Sequence, residues 1–384
     1  MGNYCKELAA LGTPVKRIVL SGYYGFHNSG DEAVLQSILL ALKEQGERQG
    51  VTYVPVVLSI NPEETARTYG VEAAHRMRPA EVWRTLRGAD GLISGGGSLL
   101  QDETGTKTIP YYIGIIRLAQ WLRKPVFIYS QGIGPVHRPF FYGWIRSAFN
   151  RCAFISVRDD ESKALLGRMG VPADRVEVVP DPVMGLSLRE QRSPKGDTLT
   201  KPVIGVSVRF WNEDRLELRA VADALKHVLE QSDAHIRFLP FHLPSDEQAS
   251  LYVMEHMGEL YKERMSIAPP IDHPQDMLAE VASCRVLVGM RLHSLIYAAG
   301  QFVPMVGVSY DPKIDQFLNR LGIKAACSTQ KPDANALAEE TLRLWNGVEA
   351  WKREKQPAIE RLKVEAGRPA ERIVAYFAGR FKGN

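Results

Sequence analysis

Two doubly wound α/β domains in tandem, closed by a C-terminal helical tail, are expected from this chain of 384 residues. Three observations lead there. Apolar, β-branched runs alternate with helical patterns between residues 17 and 179, the arrangement of a parallel sheet covered on both faces. A polar stretch from about Asp181 to Lys201, bracketed by Pro182, Pro194, Gly196 and Pro202, breaks the alternation and reads as an interdomain linker. The alternation restarts at Val203, and the length is too great for one compact core and comfortable for two.

The elements follow in order. Arg17–Ser21 is the first strand, and a glycine-rich turn from Gly22 to Gly30 leads into a helix from Asp31 to about Gln45. Asp31 suits the positive end of that helix, while Ala33, Leu35, Ile38, Leu39 and Leu42 form its apolar face. Further strands are expected at Tyr53–Leu58, Val71–Ala74, Gly91–Ser94, Val126–Ser130, Phe154–Val157 and Val176–Val179. The second half offers strands at Val203–Val208, Ile236–Phe241, Met265–Ile267, Val286–Val288 and Pro304–Val308, with a helix at Leu216–Gln231. The expected domains are 1–190 and 191–333, with a helical tail at 334–384 that packs back on the first domain. Trp345, Trp351, Ile359, Leu362, Ile373, Tyr376 and Phe377 give the tail its apolar contacts. Docking of Phe377, Arg380, Phe381 and Lys382 on a membrane is the other reading of its end; aromatics scattered on helices are more often buried, which favours packing.

Composition excludes several classes. A 45% hydrophobic and 24% charged chain is ordinary for a globular protein. A net charge of +4 suits an anionic ligand, but no long Lys/Arg run or RNA-binding signature marks a nucleic-acid partner. Cys5, Cys152, Cys284 and Cys327 are scattered and read as reduced thiols of a cytoplasmic protein. The N-terminus lacks the apolar core of a signal peptide, and no run is long enough to span a bilayer, so any contact with the inner membrane surface is expected to be peripheral. His27, His242, His273 and His293 lack metal-ligand spacing, as do Asp181, Asp311 and Asp315. Neither a metal nor a cofactor is expected, and no G-x-S-x-G elbow is present.

The chemistry is expected where strands end, since a doubly wound sheet opens its crevice at the carboxyl ends of the strands on either side of the switch point. In the second half, Arg209, His242, Arg291 with His293, and Lys313 follow successive strands. Arginine brings a permanent charge and a planar fork of donors, histidine a proton near neutral pH. The set suits an anionic small substrate that must also be protonated. His242 has a second reading as a brace for the loop before Pro244. Arg158, after Val157, points to the same substrate or to a structural pair with Asp159. In the first half, Gly22–Gly30 and Gly95–Gly96–Gly97–Ser98 let backbone N–H groups approach a ligand, yet lack both dinucleotide and P-loop spacing. Tyr23, Tyr24, Phe26, His27 and Asn28 add flat faces and hydrogen-bonding edges that suit a sugar. Tyr23, Asn28, Gly30, Asp31, Gly96, Gly97 and Ser98 are thus the expected sugar-side residues. If the two crevices face each other, one central cleft holds two substrates.

Asn28-x-Gly30-Asp31-Glu32, Gly95-Gly96-Gly97-Ser98, Gln131-Gly132-Ile133-Gly134-Pro135, Val157-Arg158-Asp159 and Arg291-Leu292-His293 together resemble the polysaccharide pyruvyl transferase family, over residues 17 to 325. Within it the chain is similar to the CsaB-like enzymes of bacterial secondary cell wall polymers. The resemblance implies a GT-B-like pair of Rossmann-type domains, with phosphoenolpyruvate as a co-substrate and a sugar bearing two hydroxyls as acceptor. For the CsaB-like branch it implies a β-linked N-acetylmannosamine on a lipid-linked precursor. Arg291 and His293 carry over through the Arg-Leu-His motif, Lys313 through Tyr310-Asp311-Pro312-Lys313. His293 is then the expected acid, Arg291, Lys313, Arg209, Arg158 and His242 the donor-binding set, and Asp31, Glu32 and Asp181 are open as base. A nucleotide-sugar glycosyltransferase of the same architecture and a non-catalytic glycan-binding protein are the rivals; a dinucleotide oxidoreductase is disfavoured by the missing glycine fingerprint.

Overall fold

A computed structural model describes residues 14–103, 105–189 and 201–380. Cys5, the 190–200 part of the expected linker with its domain boundary, and Phe381 and Lys382 lie outside the described residues. The chain divides into two compact units: residues to Phe26, Asp31–Gly185 and the chain from Val364 onward form unit 1, and His27–Gly30 with Leu186–Lys363 form unit 2.

Unit 1 carries β1 (Val15–Ser21), β2 (Thr52–Ser59), β3 (Glu72–His75), β4 (Gly91–Ser94), β5 (Gly97–Leu100), β6 (Val126–Ile133), β7 (Phe154–Val157) and β8 (Val176–Val178). The sheet is parallel in the order β3-β2-β1-β4-β6-β7-β8, with β5 beside the end of β6. Central strands buried on both faces read as continuous apolar runs, and Ile18, Val19, Leu20, Leu92 and Ile93 are all fully buried. The helices between strands are α1 (Ser29–Gln49), α2 (Pro62–Tyr69), α3 (Pro79–Arg87), α4 (Thr108–Trp121), α5 (Phe140–Phe149) and α6 (Asp160–Arg168). Two short departures stand out. The glycine run 95–97 enters β5, so no helix N-terminus follows it. Residues 182–185, expected in the polar interdomain linker, form a short helical turn in which Val183 and Met184 are buried.

Unit 2 repeats the plan with β9 (Val203–Ser207), α7 (Leu216–Glu230), β10 (His235–Phe238), α8 (Ser245–Met257), β11 (Met265–Ile267), α9 (Pro274–Ala282), β12 (Val286–Gly289), α10 (Leu292–Gly300), β13 (Met305–Ser309), α11 (Pro312–Arg320) and β14 (Cys327–Ser328). Its order, β11-β10-β9-β12-β13-β14, is the doubly wound order expected from the sequence, with β14 as an extra edge strand. In each sheet the chain's direction of travel reverses at the central pair, β1/β4 and β9/β12.

The tail is α12 (Ala334–Asn346), α13 (Val348–Ala366) and α14 (Arg368–Phe377). α12 and most of α13 belong to unit 2, where Lys363 Nζ donates to Gly300 O at 2.8 Å. α14 belongs to unit 1: the Phe127 ring meets Tyr376 at 5.2 Å and Phe377 at 5.6 Å. Phe377 is therefore engaged in packing within unit 1.

Candidate active site

The carboxyl edge of the unit 2 sheet is built around one buried carboxylate. Asp246, in the first turn of α8, is fully buried. Its Oδ2 accepts from Phe241 N at 3.2 Å, His242 N at 3.0 Å and Arg291 Nε at 2.9 Å. Arg291 Nη2 completes a two-pronged pair on Oδ1. Arg291, two residues after β12, is thereby fixed to the loop after β10. Bidentate arginine–carboxylate pairs combine charge with a set geometry. Asp246 thereby offsets the Arg291 charge.

Around this pair lie the other expected basic groups. His242 is half-buried and its proton affinity is lowered, first by burial and then by the Arg291 charge, with Asp246 opposing and Arg209 adding to the effect. Arg209 Nη1 donates to Tyr310 Oη at 3.0 Å, and its guanidinium lies 4.8 Å from the Tyr310 ring and 5.1 Å from that of Trp211. Among the described residues it pairs with no carboxylate. Lys313 Nζ also borders the Tyr310 ring, at 5.6 Å, but donates to Asp311 Oδ2 at 2.8 Å, so its charge is partly met locally. Asp311 also caps α11, accepting from Lys313 N at 3.0 Å.

Residues 27–30, expected with the first domain, pack in unit 2. Ser29 N donates to Phe241 O at 3.0 Å, Asn28 forms an antiparallel bridge with His242, and Tyr297 Oη donates to Ser29 O at 3.2 Å. Asn28 Oδ1 accepts from Gly30 N at 3.1 Å, the bond of an N-cap asparagine at the start of α1. A Cβ on Gly30 would lie 2.1 Å from His293 Nδ1, so the imidazole rests on the glycine backbone. His293 sits in the first turn of α10 with Nε2 buried. The structure thus brings Arg209, His242, Arg291, His293 and Lys313 to one sheet edge, with Asn28 and Gly30 against them.

Tyr23, Asp31, Gly96, Gly97, Ser98 and Arg158 belong instead to unit 1. Arg158 is partly buried there: Nη2 donates to Ser98 Oγ at 2.7 Å, Nε lies 3.5 Å from Asp159 Oδ2 and Nη1 3.7 Å from Asp181 Oδ2. Asp159 caps α6 through Ser162 N at 2.7 Å. Arg158, Ser98 and Asp181 therefore form a structural network. Glu32 is likewise occupied, accepting from Gly25 N at 2.7 Å and Tyr69 Oη at 2.6 Å. The glycines have a packing reason too. A Cβ on Gly95 or Gly22 would strike the fully buried Tyr24 ring or its hydroxyl, at 2.1 and 2.3 Å. Gly97 adopts φ +90 beside Asp31, a conformation L side chains rarely take.

The exposed edge of unit 1 holds a feature the sequence reading missed. Tyr23 stacks on Phe26 with centroids 3.9 Å apart and planes 4° from parallel. Arg76, which follows β3, is buried; its Nη1 donates to Gly22 O at 2.6 Å and its guanidinium lies 4.5 Å from the Tyr111 ring and 5.3 Å from Phe26. It has no carboxylate partner among the described residues. Asp246 and Tyr310 were missed as well. Ser245-Asp246-Glu247 after Pro244 reads only as an acidic helix start, and nothing local shows that Asp246 meets Arg291, 45 residues away.

Two outcomes test this geometry. Asp246→Ala leaves the Arg291 charge in a half-buried site without its partner, and is expected to lower unfolding free energy by about 3–5 kcal/mol in urea denaturation. Gly30→Ala is expected to destabilise by roughly 1–3 kcal/mol, because either the imidazole or the loop must move; unchanged denaturation curves would mean that His293 does not rest on Gly30.

Three solved structures are similar to this chain. UDP-GlcNAc 2-epimerase from Neisseria meningitidis bound to UDP-GlcNAc is 11% identical, over 95% of this chain and 100% of that one, with a TM-score of 0.62. Anabaena Alr3699/HepE in complex with UDP-glucose is 13% identical, over 95% and 99%, with a TM-score of 0.57. A glycosyltransferase from Rickettsia africae is 10% identical, over 95% and 99%, with a TM-score of 0.62. These likenesses establish the fold, a GT-B-like pair of Rossmann-type domains. The function comes from the sequence family: the model for polysaccharide pyruvyl transferase matches residues 28–312, from Asn28 through the Arg291-Leu292-His293 motif to Pro312. The chain belongs to the polysaccharide pyruvyl transferases, transferase enzymes that place pyruvyl groups on polysaccharides.

Proposed function

We propose that the chain is a ketal-pyruvyltransferase that moves pyruvate from phosphoenolpyruvate to two hydroxyls of a sugar and releases phosphate. The acceptor in this reading is β-linked N-acetylmannosamine of a lipid-linked cell wall polysaccharide precursor, ketalated at its 4- and 6-hydroxyls in CsaB-like fashion. The observation that carries the reading is the group of basic side chains at the unit 2 sheet edge, with His293 resting on Gly30 among them.

The donor carries a carboxylate and a phosphate. Arg209 offers charge that no carboxylate offsets among the described residues, so it leads the donor-binding set, with Lys313 and His242 beside it. Arg291 contributes a guanidinium held in a fixed plane by Asp246. The reaction needs a proton at the donor's methylene carbon, supplied by His293, which makes C2 an oxocarbenium-like centre. One sugar hydroxyl adds to C2 and returns its proton to the site. The second adds as the C2–O bond to phosphate breaks, its proton leaving with phosphate, and the ketal closes. On the sugar side, the exposed Tyr23 face suits an apolar sugar face, with Asp31 and the Arg76 guanidinium close by.

His293→Ala is expected to lose about 10²- to 10⁴-fold in turnover, the usual worth of positioned acid catalysis, while donor binding survives. The assay is phosphate release from phosphoenolpyruvate with synthetic sugar acceptors. Near-normal turnover would remove His293 from the role, and nucleoside diphosphate release from a nucleotide sugar would favour the glycosyltransferase. Arg209→Ala is expected to weaken donor binding by roughly 10-fold or more, the scale of a charge-assisted hydrogen bond. It is a cleaner test than Arg291→Ala, which would strand Asp246. An unchanged dissociation constant in calorimetry would count against Arg209.

A further inference from the structure

Residues 104–158 contain no Asp or Glu, although the chain carries 44 of them, and include eight Lys and Arg. The segment spans α4 and α5, which lie side by side on unit 1. Arg117 of α4 donates to Ser147 Oγ of α5 at 2.5 Å, and Gln120 Nε2 to Ala148 O at 2.7 Å. The inner faces are ordinary core, with Ile109, Ile116, Phe141 and Ile145 buried. The outer faces are not ordinary surface: Trp121 is 73% exposed, Phe140 59% and Trp144 49%. Phe140 and Trp144 touch edge to face, with centroids 6.1 Å apart. Between the helices runs a groove lined by Pro110, Gly114, Arg117, Gly143, Trp144 and Ser147. Lys107, Arg123, Arg138, Arg146 and Arg151 of the same segment are exposed. Of the acids that flank the segment in sequence, Asp102 and Glu103 are engaged with Arg138 and His137, and Asp159 lies 3.5 Å from Arg158.

Single exposed apolar residues are normal, and Leu216, Leu251, Leu260 and Val364 need no explanation. Two tryptophans and a phenylalanine among positive charges, without one carboxylate on either helix, are a different matter. Indole rings favour the headgroup layer of a bilayer, and each Lys or Arg near an anionic surface adds attraction. We propose that the outer face of α4 and α5 docks on an anionic lipid surface. The inference deepens the reading of a lipid-linked acceptor, by saying which face meets the membrane, but its test involves neither donor nor acceptor.

The full chain is floated with vesicles of phosphatidylcholine alone, or of equal parts phosphatidylcholine and phosphatidylglycerol. Binding to the mixed vesicles is expected, about 10-fold or more above the neutral ones, and weakened by salt. Trp121→Ser with Trp144→Ser is expected to cut it about 10-fold, and Arg123→Glu with Arg146→Glu roughly 25-fold, about five-fold for each positive charge withdrawn. Circular dichroism and thermal midpoints like those of the parent show that both variants are folded. No binding to anionic vesicles would overturn the proposal, as would full binding by the folded tryptophan variant. Self-association of the parent in sedimentation equilibrium, lost in that variant, would assign the face to a second copy of the chain and overturn it too. Absence of phosphate release from phosphoenolpyruvate would sink the proposed reaction without touching this result.

Discussion

The carboxylate of Asp246 organises the second unit's edge. It is fully buried, so its charge must be met, and it is met by one guanidinium and two backbone N–H groups. Those partners come from the end of β12 and from the loop after β10, two strands that flank β9 in the sheet. Because the pair is two-pronged, it fixes the plane of Arg291 as well as its position. The helix that follows, α10, then starts at a defined place and carries His293 in its first turn. A single ion pair thus sets where the candidate acid stands.

Its electrostatic consequence is as important. Arg291 and Asp246 nearly cancel at a distance, which leaves the positive field of this edge to Arg209, with help from Lys313. Burial and the neighbouring arginines keep His242 from charging readily. An anionic donor arriving here would oppose that effect and favour protonated histidine.

The motifs shared with the family divide by physical task. Asn28 caps a helix, Gly30 makes room for His293, and Glu32 ties down the loop at Gly25. Gly22 and Gly95 make room for Tyr24. Ser98, Arg158, Asp159 and Asp181 hold one another. Read as a string, each looks like ligand-binding machinery; in three dimensions most of them hold the framework on which a smaller set can act. Tyr23, Asp31 and Arg76 lie in unit 1.

Strand and helix positions were legible in the sequence because periodicity and burial are local properties: a strand buried on both faces must be an apolar run, and the switch points follow from strand order. The short strands β5 and β14 were not, since two to four residues beside a neighbour carry no period of their own. The basic residues at strand ends were legible for the same topological reason that strand ends converge. Their partners were not. That Asp246 meets Arg291, that Arg158 is enclosed by Asp159 and Asp181, and that residues 27–30 pack with unit 2 all depend on contacts between segments far apart in the chain. Sequence by itself determined the two doubly wound sheets and the chemical types gathered at their edges; only the tertiary structure decided which of those charges are neutralised by a buried partner and which stay available, because neutralisation is a matter of distance in space.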